Sequence, residues 1–293
     1  MATSSAAPQV EPPASGRQAF HAAGAAGWDG GVDLQIVVMH GSQIIASDPS
    51  ARLGDMARAT APGAVERLAH YLFDRVATDP LADELAGWLA GSSRFRAFAD
   101  ANRDKIRKKL RGAADEDARR DVRAELRVAH LLLADRRIEL AFEAYGSTKR
   151  GPDFTVTFRG ERTFNLEVTR PRRAPDAAGF GGPLLAKIRQ LPPSVPNAVL
   201  LAIEGGDADA LHIAAAARSL RDRADARDET YFATRGFKGT REFYERYLRL
   251  GGVLVWSEAA TGDARAATWD NRSARIALPE RAVRACVLCL RAG

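Results

Sequence analysis

Two runs, NAVLLAIE (197–204) and GGVLVWSE (251–258), are apolar almost throughout instead of alternating with polar residues. Successive side chains of a strand point to opposite faces of a sheet, so such a run is stable only where both faces are covered. The pair therefore requires an α/β arrangement, a central sheet with helices packed against it. The 293-residue chain is 46% hydrophobic, enough to build that cover and a sizeable core.

The cover is legible from helical spacing. Apolar residues recur at helical intervals over 63–78 and 81–90, and a serine-capped helix with a basic end is expected over 92–111. The stretch 115–135 is amphipathic, with Val122, Leu126, Ala129, His130 and Leu133 on its apolar face. Strands are expected over 137–146, 152–158 and 162–170. Further helices are expected over 183–191, 207–227, 239–249 and 278–290, the first of them stopped by Pro192 and Pro193. WDNRSARIALPE (269–280) reads as a surface loop. Residues 32–47 read as a hairpin around a HGS turn, and residues 1–30, rich in Ala, Pro, Ser and Gly, as a disordered leader. The expected divisions are a leader (1–30), an N-terminal hairpin and helical region (31–112) and an α/β domain (113–293).

The net charge is +6 and the isoelectric point about 9.6, compatible with a polyanionic partner. Of 43 basic residues only six are lysine, so lysine positions are the more informative ones. Lys105, Lys108 and Lys109 in DKIRKKLR, with Lys149, are candidate phosphate contacts. Cys286 and Cys289 have no further thiol or neighbouring histidine to complete a zinc site and read as buried small residues of a terminal helix. No run reaches the ~18 apolar residues needed to cross a bilayer. With no signal-peptide pattern at the start, the expectation is a cytoplasmic chain without a membrane partner.

The segment GPDFTVTFRGERTFNLEVTR (151–170) holds two strands joined by a short turn. Antiparallel neighbours place the start of one strand beside the end of the other. Asp153 and Glu167 are thereby brought together, and two adjacent carboxylates need a shared proton or a cation between them. On the second strand Thr163, Asn165, Glu167 and Thr169 share one face, while Phe164, Leu166, Val168 and Arg170 share the other. Oxygen ligands of this kind suit Mg²⁺ or Mn²⁺.

An acidic helix, a hairpin with Pro152-Asp153 on one strand and Glu167-Val168-Thr169 on the next, then a helix and an apolar strand, resembles the PD-(D/E)XK nucleases, the restriction-endonuclease-like superfamily. The resemblance covers roughly residues 115–204. It implies an α-β-β-β-α-β core with a mixed sheet, and Mg²⁺-dependent hydrolysis of nucleic-acid phosphodiesters, with DNA the expected polymer. It further implies that Asp153, Glu167 and the Val168 carbonyl hold the metal and that Glu125 is an auxiliary acid. Thr169 stands where the family has lysine, a hydroxyl in place of a charge. The expected substitute is Lys187 on the following helix, with Lys149 as the second candidate. Cleavage of both strands of a duplex would favour a homodimer. The rival expectation is a nuclease-like module without activity that binds nucleic acid or protein.

Overall fold

The computed structural model describes residues 61–74, 79–145, 151–172, 180–204, 210–259 and 262–293. The expected leader and hairpin (1–47) and Lys149 lie outside the described residues. All described residues belong to one compact unit, Pro49–Gly293.

Four helices come first: α1 (Ala61–Leu72), α2 (Pro80–Gly91), α3 (Ser93–Ala101) and α4 (Arg103–Gly112). Asp79 and Ser92 cap α2 and α3 by accepting from the Leu81 and Phe95 amides, each at 3.1 Å. The single helix expected over 92–111 is two helices, broken at Asn102. There the side-chain amide donates to the Phe98 carbonyl at 2.9 Å, competing with the helical ladder. Next is the long helix α5 (Glu116–Leu132), capped by Asp115, whose carboxylate accepts from the Ala118 amide at 2.7 Å.

The sheet elements follow as β1 (Ile138–Phe142), β2 (Phe154–Phe158), β3 (Arg162–Thr169), α6 (Gly181–Ile188) and β4 (Asn197–Glu204). Then come α7 (Ala210–Asp225), α8 (Glu229–Ala233), α9 (Thr240–Tyr247), β5 (Leu250–Glu258), β6 (Ala264–Asp270) and α10 (Glu280–Arg291). The six strands form one sheet in chain order. The β1–β2, β2–β3 and β5–β6 pairs are antiparallel, and β3–β4 and β4–β5 are parallel. The two apolar runs are thus the parallel strands β4 and β5, buried along nearly their whole length.

Both faces of the sheet are covered. Leu166, Val168, Leu200 and Leu254 pack with residues of α2–α5 and α10 on one face. Val199, Leu201, Val253 and Val255 pack with α6–α9 on the other. The first cluster runs without a break from Leu68 to Leu290, so the N-terminal helices and the sheet share one core across the expected division at 112/113.

Two further differences from the expectation have local causes. Strand β1 ends at Phe142, short of residue 146, because Glu143 takes a left-handed φ of 46°. Residues 269–270 are the end of β6 instead of the start of a loop. Only Ala266 of that edge strand is buried, which left no alternating pattern to read.

Candidate active site

Strand β2 stops at Phe154, paired with Leu166, so β3 runs on past its neighbour. The Val168 amide would have no ladder partner on that side. Asp153 supplies one: its Oδ2 accepts from Val168 N at 2.9 Å. This bond turns the Asp153 carboxylate toward the end of β3 and accounts for its burial (9% exposed). Gly151 permits the approach, since a Cβ there would lie 2.6 Å from that of Tyr145.

Glu167 shares its face of the sheet with Val199, its partner on β4, and is 2% exposed. Lys187, on the last turn of α6, reaches it from that face, with Nζ 2.5 Å from Oε1. The other oxygen, Oε2, is buried and has no hydrogen-bond partner among the described residues. From the opposite face come Glu125 on α5 and Lys109 on α4. Lys109 pairs with Glu125, with Asp153 at 3.2 Å and with Glu143 at 3.4 Å. Four acids and two lysines, carried by β3, α4, α5, α6, the turn after β1 and the residue before β2, therefore meet where β1 ends and β2 begins.

The electrostatics follow from that crowding. Burial, then the charge of Asp153, pushes the Glu125 carboxyl up to about 8, against the pull of Lys109. Burial and Asp153 likewise push Glu167 up to about 7, against Lys187. For both lysines burial favours the neutral amine but is outweighed. Glu125 and Asp153 hold Lys109 above the ordinary lysine range, and Glu167 and Asp153 do the same for Lys187.

Asp153, Glu167, Glu125 and Lys187 come together as the sequence suggested, with the half-buried Thr169 two residues beyond Glu167 on the same face. Arg170 turns away and pairs with Asp117 at 2.7 Å and Asp121 at 3.1 Å. Lys109 was expected as a surface phosphate contact. It is instead a member of the acidic cluster, because α4 packs on the core through Ile106 and Leu110 and so carries Lys109 inward. Lys105 and Lys108 are both exposed, and Lys105 donates to the Phe142 carbonyl at 2.6 Å at this end of the sheet. Glu143 was missed altogether. Its position depends on the left-handed turn after β1, which no local pattern announces.

Among the described residues, no group of three or more acidic, histidine or cysteine side chains is arranged so that it could hold a metal ion. Ammonium groups stand among the carboxylates. The donor set nonetheless fits a hard divalent cation: every donor is oxygen, and one of them, Glu167 Oε2, is buried without a partner. Outside the cluster, His130 stacks on Trp88 with ring centres 5.5 Å apart, and Cys286 is buried, both as structural residues. Comparison with known protein families, curated proteins and solved structures finds no match for this chain.

Proposed function

We propose that the chain is a metal-dependent hydrolase of nucleic-acid phosphodiesters, with DNA the favoured polymer, built on the restriction-endonuclease-like topology. The observation that carries this reading is the position of Lys187. A lysine absent from the E-x-K position, where Thr169 stands, is supplied by the next helix against the same glutamate, 2.5 Å away. The order α5-β1-β2-β3-α6-β4, with Asp153 just before β2 and Glu167 on the neighbouring β3, also agrees with the superfamily pattern.

Asp153, Glu167 and the Val168 carbonyl would hold Mg²⁺ or Mn²⁺, with Glu125 as auxiliary ligand. Such an ion supplies charge to a phosphoryl oxygen and makes water a stronger acid. Lys187 has two tasks. Its ammonium orients the attacking water and offsets the negative charge that grows on the phosphorus oxygens. The Thr169 hydroxyl offers that water a further hydrogen bond. Overall, water adds to phosphorus, the ester P–O bond breaks and the leaving oxygen takes a proton.

A second reading has its own support. Lys109 already neutralises Glu125 and Asp153, as a fixed cation would, and a site held permanently in that state would be an inactive binding module. Incubating the protein with plasmid, linear duplex, single-stranded DNA and RNA in Mg²⁺, Mn²⁺ or EDTA separates the two. The hydrolase cuts at least one polymer only with metal, and Glu167→Gln abolishes the cutting. The inactive module cuts none.

A further inference from the structure

A cleft of about 620 Å³ opens on the α6–α9 side of the sheet, beside the acidic cluster. Its walls include Tyr145, Gln190, Arg189, Arg246 and Arg249, with Glu242 as their only carboxylate among the described residues. Glu242 pairs with Arg246 at 3.3 Å and also accepts from the Lys238 amide. Among the described residues Arg189 makes no ion pair; its guanidinium lies over the Phe237 ring, 5.8 Å from the centre. Arg249 is half-buried and makes no ion pair among the described residues either. One of its terminal nitrogens reaches the Leu191 carbonyl at 3.3 Å, and its Nε is buried with no hydrogen-bond partner among the described residues.

Three guanidiniums facing one carboxylate, with a buried donor left over, are costly for a surface that binds nothing. Burial and the like charges of Arg246 and Arg275 make the Arg249 cation less favourable than usual, despite Glu245 and Glu242. An anion in the cleft would relieve both costs, since guanidinium groups match the oxygens of a phosphate in geometry and charge.

The cleft is also tied to the acidic cluster. Asn165, two residues before Glu167 on β3, exchanges hydrogen bonds with the Tyr145 hydroxyl and donates to Asn197 Oδ1 at 3.0 Å. Asn197 in turn donates to the Arg249 carbonyl at 3.0 Å. Ala186, next to Lys187 on α6, and Gln190, just past that helix, belong to its wall. A buried amide relay thus ties the backbone at Arg249 to the strand that carries Glu167.

We infer that the cleft walled by Arg189, Arg246 and Arg249 is a phosphate-binding subsite. Its natural occupant is a backbone phosphate displaced along the strand from the one that reacts. That occupant rests on the hydrolase reading; phosphate recognition by the arginines does not.

The test uses the full chain in EDTA, so that no cutting is required. Fluorescence anisotropy follows a labelled single-stranded oligonucleotide, and ³¹P line broadening follows inorganic phosphate. Arg249→Gln and the exposed Arg189→Gln should each weaken oligonucleotide binding about tenfold and make its salt dependence shallower by about one phosphate contact. Arg218→Gln, an exposed arginine on α7 that lines a different cleft, should leave both unchanged. Broadening of the phosphate line should also be lost in Arg249→Gln. Arg189 and Arg249 variants that bind both probes as the parent does, or lose no more than Arg218→Gln, would overturn the assignment, as would a parent protein that binds neither. Binding of phosphate but not oligonucleotide, lost in Arg249→Gln, would uphold the subsite and count against the nucleic-acid reading.

Discussion

Glu125→Gln isolates the electrostatic cost of the acidic cluster. The Glu125 carboxyl lies at about 8 in the folded chain against an ordinary 4.5, because it is buried and faces Asp153. The fold therefore favours the protonated acid. This contribution to stability is complete below about pH 4.5 and is lost as the pH rises through about 8. At about 1.4 kcal/mol per pH unit, the loss across that window is on the order of 5 kcal/mol. Glutamine keeps the shape and removes the titration. Lys109 retains Asp153 at 3.2 Å and Glu143 at 3.4 Å, so the substitution leaves no lysine unpaired. Urea unfolding in EDTA, followed by tryptophan fluorescence, should show parent and variant nearly equal near pH 4.5. The variant's advantage should then grow by about 1.4 kcal/mol per pH unit up to about pH 8 and level off. A stability difference that is the same at low and high pH would refute the reasoning. Mg²⁺ should stabilise the parent at high pH more than the variant, since a cation among ionised carboxylates offsets their repulsion.

Lys109→Met should destabilise the metal-free fold at about pH 8 by ~3–5 kcal/mol, because it leaves buried carboxylates unpaired, and Mn²⁺ should restore much of the loss; thermal unfolding with and without the ion measures both. Lys187→Met should reduce metal-dependent cleavage at least ~100-fold with little change in oligonucleotide affinity, and Lys187→Arg should restore only part of it. Asn165→Ala should cost about 1–3 kcal/mol in urea unfolding, because it removes the hydrogen bonds of a buried amide that joins Tyr145 to Asn197. Phe154→Ala should cost ~3–5 kcal/mol, as its ring is fully buried between Phe98 and Phe142.

What could be read from the sequence was local. NAVLLAIE is strand β4 at both of its ends, because a run that is apolar on both faces has one low-energy placement. Ser92 caps a helix where the pattern begins. The meeting of Asp153 and Glu167 follows from a short turn and antiparallel geometry alone. Lys187 could be nominated only through the resemblance, which implies that the helix after β3 packs beside the same sheet. What escaped depends on tertiary packing. Lys109 looks like one cation among several in DKIRKKLR, and only the burial of Ile106 and Leu110 decides that it turns inward. Glu143 joins the cluster through one left-handed residue. The arginine cleft draws on α6, α9 and the residue before β5, which are distant in sequence and brought together by the two parallel crossovers.

The most direct measurement is the conversion of supercoiled plasmid to open-circle and linear forms by the parent chain and by Asp153→Ala. It would be made side by side in Mn²⁺, Mg²⁺ and EDTA. Conversion by the parent with metal, none in EDTA and none by Asp153→Ala is the expected result. Conversion that persists in EDTA or in Asp153→Ala, or its absence with metal for this and every other polymer, would contradict the assignment of a metal-dependent hydrolytic centre to Asp153, Glu167 and Lys187.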